Sequence, residues 1–355
     1  MKTIPYLKKR NDFLQKNLSH DQMEAIAEVQ RKISNHVYKF IELTCLCGKT
    51  ADDEDTLLAT HDQFGLPTHN ILCSKCGLVR SHFILDDASV IDFYSNYYRK
   101  IYDGSNFALK DFFIFQCNKG KRLVELAKKY HHSNGPDSTV CEIGCGAGGI
   151  LHTFQDAGYK TIGVDYDREY LEYGRTKNLD LREGDYKINL DDNSIDVLIL
   201  THVMEHFSHI LYEVKHIISK VKENGILIIE VPGVFNDLKY TSPIRNFQNA
   251  HIFGYFYKTF LEILFKKFSL EILYSNEGCT IVLKKPLHWR AEDIEYIYDE
   301  SFQKYPNKIL KHLIFQEFLS RYNISRNQRY LAFQYVKNIL RTIIKTLIRY
   351  KKKEK

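Results

Sequence analysis

The stretch VCEIGCGAGGIL, residues 140–151, decides the fold of this chain. Apolar, β-favouring residues come first and carry one acid, Glu142, and four glycines within the next seven residues lead into a helix-like pattern. Glycine lets backbone N–H groups approach a ligand closely, and the N-terminus of a helix is electropositive. A buried strand that ends in such a turn is therefore typical of a nucleotide-binding cradle.

Two kinds of nucleotide fit this turn. The spacing Gly144-x-Gly146-x-x-Gly149, with Asp165 placed 21 residues after Gly144, matches the fingerprint of dinucleotide-binding proteins and would indicate a dehydrogenase. The alternative spacing is acid-x-Gly-x-Gly-x-Gly, which begins at Glu142 and makes Gly149 only the start of the helix. In that form the segment resembles the first motif of class I S-adenosylmethionine (SAM) methyltransferases.

Later segments decide between the two interpretations, because they follow the order of the remaining methyltransferase motifs. These segments are Thr161–Asp165 (TIGVD), Glu183–Tyr186 (EGDY), Ile195–Leu200 with Thr201–His206 (THVMEH), and a turn at Val221–Gly225 before the apolar strand Ile226–Val231. A dehydrogenase does not need the acid–aromatic pair Asp185-Tyr186 after its third strand. The sequence therefore favours SAM as the cofactor.

The resemblance also implies which residues hold SAM. In class I methyltransferases the positions of Asp165 and Asp185 bind the ribose diol and the adenine amino group, and the loop Thr201–Val203 lies at the methionine end. The full set implied for SAM is Glu142, Gly144, Cys145, Gly146, Gly148, Asp165, Tyr166, Asp185, Tyr186, Thr201 and His202.

Four cysteines of the N-terminal part form a second candidate site. Cys45-x-Cys47 and Cys73-x-x-Cys76 are each followed by glycine, and clustered thiols in a reducing compartment indicate a metal more than disulfides. Two thiolates on a glycine turn are typical of structural zinc sites, in which four protein ligands leave no open position for chemistry. The first pair is one residue shorter than usual, so His61 or His69 could replace one cysteine, and four reduced thiols without metal remain an alternative.

This N-terminal part resembles a module of bacterial methyltransferases that act in sugar and polysaccharide biosynthesis. The residues that carry the likeness are Cys73–Arg80 (CSKCGLVR), Ile91–Tyr94 and Tyr97–Arg99, and with the SAM motifs it covers roughly residues 41–285. It implies a sugar or glycan acceptor, methylated on oxygen or carbon, in surface polysaccharide biosynthesis. A quinone, lipid or other small acceptor, and a non-catalytic SAM-binding protein, are the alternatives.

The sequence divides into four predicted parts: a helical segment at 1–40, the zinc-type module at 41–104, the methyltransferase domain at 105–285 and a helical extension at 286–355. Within them the patterns predict helices starting near Gln22 and covering Lys110–Tyr130 and Tyr257–Phe268, and a final hairpin of Leu270–Tyr274 and Thr280–Leu283. The predicted fold class is α/β: a doubly wound, seven-stranded, Rossmann-like methyltransferase sheet with two appendages.

Charge is concentrated at the C-terminus. Residues 341–355 hold seven Lys or Arg and one Glu, which equals the net charge of +6 of the whole protein, so a nucleic-acid-binding face is not expected. Apolar residues recur at helical spacing over 336–348. This basic amphipathic helix could contact an anionic membrane or pack on the protein body. The basic N-terminus lacks a secretory pattern, so we expect a cytoplasmic protein, with peripheral contact at the inner face of the membrane if the helix binds lipid.

Three histidines are candidates for the base that removes a proton from the acceptor: His202, His206 and His251. Histidine suits this role because its ordinary pKa lies near neutrality. His202 and His206 follow the fourth strand, and Glu205 between them could orient a ring. The pair could also ligate a metal, but it lacks the glutamate that directly follows the first histidine in zinc protease helices.

Overall fold

The computed structural model of the protein describes residues 1–3, 18–102, 109–131, 137–236, 247 and 251–321. Its strands are β1 (Lys2–Thr3), β2 (Phe40–Glu42), β3 (Thr56–His61), β4 (Pro67–Leu72), β5 (Val79–Ser81), β6 (Phe83–Leu85), β7 (Thr139–Ile143), β8 (Lys160–Asp165), β9 (Asp180–Glu183), β10 (Ile195–Thr201), β11 (Val221–Glu230), β12 (Phe253–Tyr255), β13 (Glu271–Ser275) and β14 (Thr280–Lys284). Its α-helices are α1 (His20–Ser34), α2 (Asp87–Phe93), α3 (Arg99–Tyr102), α4 (Leu109–Tyr130), α5 (Gly149–Asp156), α6 (Arg168–Arg175), α7 (Tyr186–Asn189), α8 (Ile210–Lys220), α9 (Lys258–Lys267) and α10 (Tyr305–Arg321).

The large sheet has the order β13-β14-β11-β10-β7-β8-β9 among the described residues. Strands β9, β8, β7, β10 and β11 are parallel, and β14 runs antiparallel to both of its neighbours. The predicted seven-stranded Rossmann-like sheet and its closing hairpin are thus both present. The order reverses between β7 and β10, and in open α/β sheets ligands bind at such a switch point, beyond the carboxyl ends of the strands.

The two faces of this sheet are buried in two different hydrophobic cores. Successive residues of β10 alternate between them: Val197 and Ile199 belong to one core, and Leu198 and Leu200 to the other. Alternation with a period of two is inherent to a β-strand, and a strand buried on both faces needs apolar residues at every position. The run IDVLIL therefore becomes the central strand of the fold.

Helix α5, which follows the glycine turn, packs tightly against α4. A Cβ atom on Gly149 would lie 2.3 Å from the carbonyl oxygen of Phe113, so only glycine allows the two helices to approach this closely. The first helical residue after the turn thus serves packing, in agreement with the SAM interpretation of the motif.

A smaller sheet of order β1-β3-β4-β5-β12 carries the cysteine region. Its last strand, β12, comes from a segment that follows the large parallel strands in sequence. Phe253 and Tyr255 of β12 pair antiparallel with Arg80 and Val79 of β5. Helix α1 begins where the sequence predicts, because Ser19 caps it in a capping box with Gln22.

The predicted helical extension is only partly correct. Residues 286–299 have no regular structure, a 3₁₀ turn covers Glu300–Lys304, and α10 follows. The irregular segment uses its backbone for docking, since the N–H of Ile297 donates to the carbonyl of Leu46 at 2.7 Å. The predicted amphipathic helix 336–348 and the basic tail lie outside the described residues. Within the described part of the protein no helix is long and apolar enough to cross a membrane.

Candidate active site and cysteine cluster

The glycine turn after β7 adopts backbone conformations that favour glycine. Gly144, Gly146 and Gly148 have φ angles of +73°, +52° and +77°. A Cβ atom on Gly144 would lie 2.4 Å from the Cγ2 atom of Val203, so the space beside the turn is closed to any side chain. The N–H of Gly146 donates to Asp165 Oδ2 at 2.7 Å, which connects the turn directly to the end of the second strand.

Glu142 lies at the end of β7 and is completely buried. Its Oε1 accepts a hydrogen bond from the Thr201 hydroxyl at 3.2 Å, whereas Oε2 is buried with no partner among the residues that the structure describes. Burial raises the pKa of Glu142 to about 8, against smaller opposing effects of Lys119 and of the Thr201 hydrogen bond. A buried carboxylate oxygen without a partner is costly unless a ligand satisfies it.

Asp165 is held by groups from three parts of the sequence. Besides the contact with Gly146, its Oδ1 accepts from the N–H of Asp167 at 2.9 Å. Arg99 binds Asp167 through Nε at 3.0 Å, lies 3.9 Å from Asp165 and stacks over the ring of Tyr170 at 4.3 Å. Arg99 was not among the predicted site residues, although it ends the Tyr97–Arg99 segment that carries the family resemblance.

Helix α4 supplies further residues that the sequence did not indicate. The Gln116 side chain donates to the carbonyl of Cys145 at 2.8 Å and accepts from the N–H of Gly149 at 3.2 Å, so it holds both ends of the glycine turn. Lys119 lies 3.5 Å from Glu230, at the end of β11. Burial alone would raise the pKa of Glu230, but nearby Lys119 and Arg122 outweigh it and lower the pKa.

Four other residues predicted to bind SAM lie in different environments. Asp185 caps α7 through the N–H of Lys187, and Tyr166 is 73% exposed beyond the end of β8. Tyr186 is buried, and its hydroxyl donates to Glu213 at 2.6 Å. Cys145 is also fully buried, and its Sγ would lie 2.7 Å from a Cβ atom on Gly163, so its thiol faces the sheet.

The loop after β10 carries His202 in the left-handed region, with φ +58°, which costs about 1 kcal/mol for a non-glycine residue. The exposed imidazole of His202 lies with Nδ1 3.2 Å from Oε1 of Glu205. Glu205 is completely buried, and its Oε2 has no partner within the described ranges. Burial would raise the pKa of Glu205, but His202, His206 and His251 lower it below its ordinary value.

His206 and His251 lie side by side, with ring centroids 4.8 Å apart. Nδ1 of His206 is 2.8 Å from the hydroxyl of Tyr94, which lies on a π-helical turn (Tyr94–Tyr98) of the N-terminal part. Burial, with the neighbouring His206, lowers the pKa of His251 to about 3, so its imidazole is neutral near pH 7. Two of the three predicted bases thus form one cluster with Glu205 and Tyr94.

Comparison with known proteins identifies the central part of the sequence. Residues 115–275 match the model of a methyltransferase domain family. This segment of the protein is a methyltransferase domain. The match, together with the antiparallel strand β14, rules out the dinucleotide interpretation of the glycine turn. No curated protein sequence matches this one.

Solved structures of methyltransferases are similar to parts of this enzyme. The CurJ carbon methyltransferase is 15% identical, with a TM-score of 0.38. The match covers 48% of this protein and 54% of the CurJ structure, so this protein spans about half the length of that structure. A SAM-dependent methyltransferase from Archaeoglobus fulgidus is 19% identical, with a TM-score of 0.38, and the match covers 62% of this protein and 92% of that structure. CalS10, an amino pentose methyltransferase from Micromonospora echinaspora, is 15% identical, with a TM-score of 0.30, and the match covers 33% of this protein and 50% of that structure.

The methyltransferase site fits SAM on its own geometry. Glu142 offers a buried carboxylate oxygen with no partner among the described residues, and the three left-handed glycines keep the turn itself free of side chains. SAM carries a sulfonium and an ammonium group, and Glu142 and Asp165 provide acids at the switch point of the sheet. The ends of β7, β8 and β10 are therefore a suitable site for the cofactor.

The four cysteines of the N-terminal part converge in a second cluster. Their sulfur atoms are buried and lie within 4.8 Å of one another, with Cys45–Cys76 at 3.5 Å and Cys47–Cys73 at 3.7 Å. A tetrahedral zinc site with bonds of about 2.3 Å has sulfur–sulfur distances of about 3.8 Å. The short spacing of the first pair therefore does not prevent convergence, and His61 and His69 are not part of the cluster within the described residues.

Residues that follow the parallel strands of the large sheet cover the two cysteine turns. A Cβ atom on Gly48 would lie 2.8 Å from the ring of Tyr296, and one on Gly77 would lie 3.1 Å from Tyr305. The hydroxyl of Tyr257 donates to the carbonyl of Cys76 at 2.5 Å. The cysteine cluster thus joins distant parts of the sequence.

Proposed function

We propose that this methyltransferase transfers the methyl group of SAM to a sugar or glycan acceptor in surface polysaccharide biosynthesis. The observation that carries the proposal is the cluster of Tyr94, Glu205, His206 and His251, which lies beyond the end of β10 next to Thr201. A methyl acceptor that must lose a proton needs such groups beside the cofactor site.

Polar side chains of the small sheet support a hydroxylated acceptor. Thr68 donates to Asn70 at 3.1 Å, Asn70 lies 3.5 Å from Ser81, and the Ser81 hydroxyl donates to the carbonyl of His251 at 3.3 Å. These side chains are nearly buried, yet they are hydroxyls and an amide rather than apolar groups. A quinone or lipid acceptor would favour an apolar surface beside the histidines.

The roles of the individual residues follow from their positions. SAM, when bound, supplies a methyl group already activated on a sulfonium. Glu142 and the glycine turn would bind its methionine part, and Asp165, oriented by Gly146 and Arg99, would bind the ribose. His206, oriented by Tyr94, and His251 would lie beside the acceptor group that loses its proton, while the more exposed His202 orients Glu205.

We also propose that the four cysteines bind a structural zinc ion. Buried thiolates are costly without a cation, and the sulfur spacing fits zinc. Because four protein ligands would fill the coordination sphere, this zinc would stabilise the N-terminal part and take no part in methyl transfer. The four-part division at residues 40, 104 and 285, the cytoplasmic location and the membrane contact of the basic tail stay predictions.

The acceptor is tested by incubating the purified full-length protein with SAM and a panel of acceptors. Nucleotide-activated sugars and glycan fragments form one arm, and quinones and fatty-acid derivatives form the other. Mass spectrometry should detect addition of one methyl group to a sugar only. Methylation of a quinone or lipid alone would refute the glycan proposal, and failure to bind SAM by calorimetry would refute the transferase mechanism itself.

A further inference from the structure

We propose that Glu205, His206 and His251 form a binding site for one divalent transition-metal ion, separate from the four cysteines. The inference rests on the proposed transfer to an oxygen acceptor. The ion would hold the acceptor hydroxyl next to the cofactor site and make it more acidic. Neither the spacing of His202 and His206 nor the methyltransferase motifs indicate this set of ligands.

The three side chains come from two segments, since Glu205 and His206 are neighbours on one 3₁₀ turn and His251 follows β11. One ligand atom of each, a carboxylate oxygen or an imidazole nitrogen, lies within 4.8 Å of those of the other two. A tetrahedral site with bonds of about 2.1 Å needs ligand atoms about 3.4 Å apart. Side-chain movements of an ångström or slightly more would therefore close the set around an ion.

Glu205 presents an oxygen that the fold leaves unsatisfied. The residue is completely buried and Oε2 has no partner in the described part of the protein, while Oε1 lies 3.2 Å from His202 Nδ1. A buried oxygen of this kind calls for a bound water, an ion or a catalytic role. The hydrogen bond between His202 and Oε1 would orient the carboxylate, as second-shell hydrogen bonds do for carboxylates that ligate metals.

Each of the two histidines could offer one ring nitrogen to the ion. With Nδ1–H of His206 donating to the Tyr94 hydroxyl at 2.8 Å, the lone pair of Nε2 would be the ligand of the ion. For His251, no hydrogen bond to a ring nitrogen occurs within the described part of the protein, although the ring lies against His206. Both histidines are partly exposed, so an ion and an acceptor can reach them from one side.

The ligand set selects the class of metal. Two imidazoles and one carboxylate suit zinc and other divalent first-row metals, and differ from the all-sulfur set of the cysteine cluster. Three protein ligands leave a position open, as in catalytic zinc sites. An acceptor hydroxyl can therefore bind there, whereas the cysteine cluster has no such position.

The transfer then balances without another reactant. At the open position the acceptor O–H bond breaks and its proton passes to solvent water. The oxygen forms a bond to the methyl carbon, and the methyl–sulfur bond breaks with its electron pair left on sulfur, which becomes a neutral thioether. Lewis-acid assistance of this kind replaces a protein base for the proton.

The proposal is tested on the full-length protein loaded with a single equivalent of zinc, which the four thiolates of the cysteine cluster should take up first. Titration with Co²⁺ is followed by calorimetry and by visible absorption. We expect one equivalent to bind without the thiolate charge-transfer band that cobalt bound to cysteine would give. Glu205→Gln and His251→Asn should weaken cobalt binding about a hundredfold, and Tyr94→Phe, which keeps the ligands, about tenfold.

His216→Asn is the matched control, because this histidine is bonded to the carbonyl of Tyr212 outside the cluster and should leave cobalt binding unchanged. Unaltered SAM affinity and melting temperature verify that the variants fold. Equal cobalt affinity in wild type, Glu205→Gln and His251→Asn would overturn the inference and leave the cluster as proton acceptors. If cobalt binds but no acceptor is methylated, the proposed function fails and the metal site stands.

Discussion

Replacing Glu142 by Gln should change how the stability of the enzyme without cofactor depends on pH. Burial raises the pKa of Glu142 to about 8 in the folded protein, against an ordinary value of 4.5. Between these two values the folded state binds more protons than the unfolded state, so stability falls as pH rises. The native carboxyl group is therefore tolerated when neutral and destabilising when ionised.

The magnitude follows from this pKa difference. From pH 5 to pH 8, ionisation of Glu142 should cost the folded state roughly 4 kcal/mol, a loss that Gln avoids because it has no charge. Urea unfolding gives the free energy of unfolding of wild type and of Glu142→Gln at both pH values. The effect is the change, from pH 5 to pH 8, in the difference between the two proteins. Glu125→Gln, at an exposed position of α4, is the control. A stability difference that stays constant between pH 5 and pH 8, or that shrinks, would refute the reasoning.

SAM binding should also be coupled to the ionisation of Glu142. The positive charges of SAM favour the ionised form of Glu142, so binding near pH 7 should release a proton and SAM affinity should rise towards pH 8. Calorimetry in two buffers of different ionisation enthalpy counts the protons. Equal proton release in wild type and Glu142→Gln would mean that another group ionises.

Three further substitutions test other parts of the site. Gly144→Ala should abolish SAM binding, measured by calorimetry, because a methyl group would lie 2.4 Å from Val203 and the residue has φ +73°. Arg99→Ala should weaken SAM binding about tenfold, with partial recovery in Arg99→Lys, since the guanidinium forks between two acids. Cys76→Ser should lower both the zinc content and the melting temperature, whereas Cys117→Ser, outside the cluster, should change neither.

The elements that could be predicted from the sequence are those whose signals are local. The start of α1 follows from a capping box, and the strands of the large sheet follow from short apolar runs that end in glycine or an acid. Strand β12 could not be predicted, because its partner β5 lies more than 170 residues earlier and no local period encodes that pairing. The prediction of helix for the irregular segment 286–299 was wrong for the same reason: what fixes this segment is docking on Leu46.

The candidate site shows the same division. Glu142, Asp165 and Thr201 could be placed from the sequence because each ends a parallel strand, and such ends meet at one edge of the sheet. Tyr186 follows a strand in the same way, yet its ring turns into the core to reach Glu213. A strand end fixes the position of a residue but not the direction of its side chain.

The N-terminal part contributes to the active site itself, which follows from two contacts. Tyr94 bonds to His206, one of the proposed acceptor-side residues, and Arg99, five residues later, binds Asp167 next to Asp165, for which we propose ribose binding. The π-helical turn between them widens the helix, so both residues reach the methyltransferase strands, and such turns occur often at functional sites. Both lie before residue 115, where the methyltransferase family match begins. The proposed cofactor and acceptor positions are thus each contacted from outside the matched domain, and loss of the N-terminal fold should impair SAM binding and methyl transfer together.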